Sequence, residues 1–108
     1  MNIQFKKGVL ELCVLSLLSK KDCYGYELVT KMSMGIGLSE GTVYPLLKRL
    51  REENYFTTYI EESSEGPARK YYRILPEGIE YKNELMGEWY DLVKHVNIII
   101  EGDEGYAQ

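Results

Sequence analysis

Val43, Leu46, Leu47 and Leu50 fall at i, i+3, i+4 and i+7, one apolar stripe that predicts a helix through Leu38–Leu50, ending near Glu53, with a single face in a core. Thr42, Tyr44, Lys48, Arg49 and Arg51 lie off that stripe and face water or a partner. Ser39 stands at the N-cap, where its hydroxyl can accept from backbone N–H groups of the first turn. Pro45 sits inside this helix and opposes the carbonyl of Gly41, whose missing Cβ lets the backbone shift. An ordinary amphipathic helix shows the same stripe. A packed side joined to a free side of hydroxyl, phenol and cationic groups also suits a DNA groove.

The other elements follow from changes of period. From Phe5 to Ser19, Val9, Leu10, Leu12, Cys13, Val14, Leu15, Leu17 and Leu18 predict a helix buried from more than one direction, which asks for a second subunit. Tyr24 to Met32 reads as a short helix with Leu28, Val29 and Met32 inward, and Ser33 to Leu38 as the turn after it. Two helices around a tight turn make a helix-turn-helix. Asn54 suits the left-handed position that closes a helix. Phe56 to Ile60 and Arg69 to Leu75 are rich in aromatic and β-branched residues and predict two strands, with Glu61 to Ala68 as the turn between them. Arg69 and Lys70 then begin the hairpin tip, within reach of phosphate or a minor-groove edge, or form a solvated hairpin base. The alternation does not say which of Tyr71 and Tyr72 faces inward.

Pro76 opens the last helix, which runs to about Glu101. Ile79, Met86, Val93 and Ile100 recur every seven residues, Trp89 and Val96 lie three beyond Met86 and Val93, and Leu85, Leu92 and Ile99 flank that seam. This is a short coiled-coil pattern, broken at Lys82. Its expected partner is a copy of itself or the first helix of a second subunit. The fold class is thus mainly α with a small β-hairpin: a winged helix-turn-helix over 1–75, a dimerisation helix over 76–101 and a flexible tail over 102–108.

Charge sharpens this division. The formal net charge is −4, yet residues 1–76 carry +2 and residues 77–108 carry −6. A weakly basic front can approach phosphate while an acidic rear points away, although an acidic tail also aids solubility. Two cysteines, Cys13 and Cys23, are too few for a disulfide framework or a zinc site, and Cys13 is expected in the core. The apolar run Val9–Leu18 is shorter than the about 20 residues that span a bilayer. No cleavable leader is expected, so a cytoplasmic protein without membrane contact is. His95 stands alone, with no Ser/His/Asp set, no usable Cys/His pair and no metal cluster, so neither an enzyme nor a cofactor is expected. A rim residue is its simplest role. Gly35, Gly37 and Gly41 have the wrong spacing for a phosphate loop.

Three blocks carry a resemblance: Tyr24-Gly25-Tyr26-Glu27-Leu28, the run from Gly41 to Leu50, and Gly66-Pro67-Ala68-Arg69-Lys70-Tyr71-Tyr72-Arg73. With them the chain resembles a PadR-family transcriptional regulator of the short kind, over roughly residues 5–100. The resemblance implies a winged-helix homodimer that binds double-stranded DNA at an inverted repeat and usually represses. It implies Ser39, Thr42, Tyr44 and Lys48 on the reading helix, Arg69 and Lys70 on the wing, and Tyr24 and Tyr26 near phosphate. In multidrug-binding members a tryptophan at the place of Trp89 lines a dimer-interface pore that takes planar aromatic effectors. Trp89, with Leu85, Met86, Val93 and Val96, would then line such a pore or simply pack the dimer. Leu75 departs from the family's Ser or Thr cap, and Asn54 stands where Gly is common. A winged-helix module that binds protein instead of DNA is the alternative.

Overall fold

A computed structural model describes residues 3–102, and their side chains from residue 8 onward. The elements are α1 (Ile3–Lys20), β1 (Cys23–Tyr24), α2 (Gly25–Ile36), α3 (Glu40–Glu52), β2 (Phe56–Ser63), β3 (Gly66–Ile74) and α4 (Pro76–Glu101). This is a winged helix followed by one long helix. The core gathers Leu10, Val14, Leu15 and Leu18 of α1, Leu28, Val29 and Met32 of α2, and the predicted α3 stripe against Phe56 and Tyr72. Cys13 packs half-buried at its margin, while Cys23 is buried within it.

Several local expectations are corrected. Tyr24 belongs to a two-residue strand and is the N-cap of α2, so the helix starts at Gly25. β1 pairs with β3 (Cys23 with Tyr72, Tyr24 with Tyr71), and the antiparallel sheet has the order β1-β3-β2. α2 continues through the segment read as a turn to Ile36, because Gly35 is solvent-exposed and tolerated there; the break comes at Gly37, with φ +75°. Ser39 does cap α3 by position, but its hydroxyl takes no backbone N–H; it lies 3.4 Å from the Thr42 hydroxyl instead.

The hairpin is longer than its composition suggests. Strand pairing continues through Ile60–Lys70 and Glu61–Arg69 to Ser63–Gly66, leaving only Ser64 and Glu65 at the tip. Opposite charges at Glu61 and Arg69 favour that continued pairing, and Pro67 is tolerated because it lies at the strand's beginning. Arg69 and Lys70 are therefore mid-strand residues. Tyr72 faces the core, edge-on to Phe56 at 5.3 Å, which phases the whole strand.

α3 closes as expected. Asn54 adopts φ +65°, its N–H donates to the Arg51 carbonyl at 3.0 Å, and the Tyr55 N–H donates to the Leu50 carbonyl at 3.1 Å. Those two bonds form a Schellman closure with Asn in the glycine position. The chain then turns into the sheet and later into α4. There the Leu75 N–H donates to the Tyr55 carbonyl at 3.0 Å. Gly78 lies against that same carbonyl, so close that an added Cβ would stand 2.0 Å from its oxygen.

α4 lies along α1 for part of its length and then projects. Its 26 residues span about 39 Å, and the molecule measures 64 × 27 × 21 Å. The radius of gyration of 16.8 Å exceeds the about 13 Å of a compact domain of this length. Toward the far end Leu92, Val96, Ile99 and Ile100 of the predicted seam are exposed. No described helix is long and apolar enough to cross a membrane. α4 closes at Gly102, and the remainder of the expected tail lies outside the described residues.

Candidate nucleic-acid interface

With Val43, Leu46, Leu47 and Leu50 buried, helical geometry fixes what α3 shows to the outside. Gly41, Pro45, Lys48 and Glu52 face directly away from the core, since successive residues turn by about 100°. Two of these carry little side chain, which leaves the α3 backbone open to close approach. Tyr44 and Arg51 lie on the flank toward β3. Thr42 and Arg49 lie on the opposite flank. Thr42 and Tyr44 thus share α3 without sharing a side of it.

Between α3 and β3 runs a groove of about 490 Å³, lined by Tyr44, Leu47, Lys48, Arg51, Glu52, Lys70 and Tyr72. It brings together three residues named from the sequence, Tyr44, Lys48 and Lys70. Arg51 joins them, a residue the sequence places on the free face of this helix without assigning it to DNA. Its position three residues beyond Lys48 and seven beyond Tyr44 was the available signal. The Tyr44 ring rests beside Gly25, where an added Cβ would lie 3.7 Å from its Cε1. Burial pushes the Tyr72 phenol above its ordinary pKa, and Tyr44 adds to the effect while Arg51 opposes it. Lys70 Nζ stands 5.9 Å from the Tyr72 ring centroid, so a cation and a phenol share the groove wall.

Arg69 is on the other face of the sheet. Alternation along β3 puts Arg69, Tyr71 and Arg73 opposite to Lys70 and Tyr72. The Arg69 guanidinium lies over the Tyr24 ring at 4.6 Å, Tyr24 lies beside Tyr71 at 5.8 Å, and Tyr71 stacks on Tyr59 at 5.5 Å. Arg73 closes the row over Tyr59 at 4.7 Å. Asp22 accepts from both Arg73 Nε, at 2.9 Å, and the Tyr59 hydroxyl, at 2.8 Å, so Arg73 is neutralised. That bond, with burial, raises the Tyr59 pKa. Among the described residues no salt bridge holds Lys48, Arg51, Arg69 or Lys70. Tyr26 is exposed in the first turn of α2, two residues from Tyr24. The outer end of the hairpin is acidic, with Glu61 and Glu62 of β2 and Glu65 of the tip all exposed. Basic character therefore sits on the body of the wing and on α3, and an outer end of this charge is repelled by a minor groove.

A second cleft, of about 190 Å³, separates α1 from α4 and is lined by Gly8, Val9, Leu12, Leu85, Glu88, Trp89 and Leu92. Of the five residues named for a dimer or effector surface, Leu85 and Trp89 line it. Met86 and Val93 are half-buried elsewhere on α4, and Val96 is exposed further along.

The sequence matches the model of the transcriptional regulator PadR-like family over residues 14–84. A PadR-like transcriptional regulator from Bacillus cereus strain ATCC 14579 is 41% identical, with 93% of this chain and 99% of that one covered and a TM-score of 0.83. A PadR family transcription regulator from Clostridium difficile R20291 is 35% identical, with coverage of 84% and 97% and a TM-score of 0.77. An uncharacterized protein of Lysinibacillus sphaericus is 33% identical over 102 residues, covering 91% of this chain and 94% of its own length.

Proposed function

This chain belongs to the PadR-like family of DNA-binding transcriptional regulators, and from that premise we propose that it is a cytoplasmic repressor acting as a homodimer on an inverted-repeat operator. Residues 1–75 read the DNA and residues 76–101 pair the two copies. The observation that carries this reading is the groove between α3 and β3, where Tyr44, Lys48, Arg51 and Lys70 converge. Two such grooves, paired by α4, meet successive major grooves on one face of the duplex, about 34 Å apart. Phosphate contacts supply most of the affinity, while Thr42 and Tyr44 contribute to sequence choice with Ser39 at the helix start. Arg69, Tyr24 and Tyr26 meet the backbone beside the wing. A dimer seated over an upstream region excludes polymerase, which is the simplest route to repression.

The exposed apolar residues of distal α4 support dimerisation. The cleft beside Trp89 supports effector binding. Its about 190 Å³ is below the roughly 300 Å³ of a small-molecule site, so a second copy completes it. A planar aromatic compound inserted there changes the spacing of the reading helices and releases the operator.

A gel shift with the protein's own upstream region tests the reading. Lys48→Ala is expected to weaken binding about tenfold and to reduce the salt slope by about one. Arg69→Ala is expected to reduce the slope similarly. A complete lack of shift at low salt, with any duplex, would assign the surface to a protein partner. Planar dyes are expected to quench Trp89 emission and release the operator, and Trp89→Ala to abolish that release.

A further inference from the structure

Glu11 is the one buried acidic or basic side chain among the described residues, at 2% exposure. It interrupts the apolar run of α1, and both of its carboxylate oxygens are used. Oε1 accepts from Arg49 Nη1 of α3 at 3.0 Å, and Oε2 accepts from the Tyr81 hydroxyl of α4 at 2.7 Å. Arg49 also lies 3.8 Å from Glu53. Tyr81 stacks on Tyr55 at 4.4 Å with the rings 12° apart, and Tyr55 belongs to the closure of α3. One carboxylate therefore ties the reading helix to the long helix across α1.

Such a link adds little net stability, because apolar residues of the same volume often hold a fold as well as a buried ion pair does. Two hydrogen bonds from fixed directions supply orientation instead. Arg49 is adjacent in sequence to Lys48, so a rotation of α3 that loosens Arg49 also re-aims Lys48. On the other side, Tyr81 is one turn before Leu85 and Glu11 is next to Leu12, both of which line the cleft between α1 and α4. The hub thus lies between that cleft and the reading face.

We infer that Glu11, with Arg49 and Tyr81, is a positioning residue that fixes the angle between α3 and α4, and through it the half-site spacing the protein accepts. This rests on the dimeric DNA-binding reading above. Neither Arg49 nor Tyr81 needs to touch DNA for the effect.

The test uses the full chain and an operator selected from random duplex DNA, together with two derivatives in which one central base pair is inserted or deleted. Each derivative changes the separation and relative rotation of the half-sites. Wild type is expected to lose about tenfold or more on either derivative, whereas Tyr81→Phe, which keeps the ring stack, should narrow that ratio to about threefold. Glu11→Gln should narrow it as well. Circular dichroism and sedimentation should show both variants folded and dimeric. A wild-type ratio in Tyr81→Phe, whatever its melting temperature, would overturn the inference. So would loss of its fold, which would make the hub structural only. Failure of wild type to bind as a dimer would overturn the underlying reading first, and is seen before any variant is measured.

Discussion

The two ends of α4 are built on opposite principles. At its start Gly78 is buried against the Tyr55 carbonyl, Tyr81 is stacked and hydrogen-bonded, and the Leu75 N–H is satisfied by the turn that closes α3. Burial, with the Glu11 bond, holds the Tyr81 phenol far above its ordinary pKa. At its far end Ile99 is 62% exposed and Ile100 74%. One end packs α4 against the turn that closes α3. The other holds out an apolar surface that a single copy does not cover. On the proposed dimeric reading such a helix transmits geometry: a second copy pairing at the far end would set where α3 points.

The sharpest way to break the anchored end is Gly78→Ala. Its Cβ would meet backbone, which moves less readily than a side chain, so a loss of about 3 kcal/mol or more is expected. Thermal denaturation followed by circular dichroism measures it; an unchanged midpoint would contradict the close packing. Val96→Glu addresses the far end. A carboxylate placed in a paired apolar seam should weaken dimerisation roughly a hundredfold, while the monomer's secondary structure stays intact. Sedimentation at graded concentrations reads the first and circular dichroism the second. If Val96→Glu unfolded the chain, the two ends of α4 would not be separable. The smallest effect is expected from Tyr55→Leu, which removes the stack on Tyr81 and should cost about 1 kcal/mol. Its dimerisation constant should match wild type.

Periodic features were legible in the sequence. The α3 stripe, the opening of α4 at Pro76, its end near Glu101 and the closing role of Asn54 all follow from local rules that tertiary packing left in force. Features that depend on distant partners were not. β1 is two residues long and exists because Tyr71 and Tyr72 pair with it from far along the chain. Composition alone misplaces the tip of the wing, because Glu, Ser, Gly and Pro favour turns locally while cross-strand pairing carries the ladder further. Once Tyr72 is known to face the core, Arg69 and Lys70 separate onto opposite faces; before that, strand phase was undetermined. The candidate site shows the same division. Arg51 was readable from helical spacing alone. Glu11 was not, because its partners lie 38 and 70 residues away.

On the proposed reading, pairing through α4 aims two copies of α3 at one face of the duplex, and selection of bound sequences from a random pool of duplex DNA measures this. An inverted repeat with half-site centres about 10 base pairs apart is the expected result. A single unrepeated site, or a direct repeat, would contradict it.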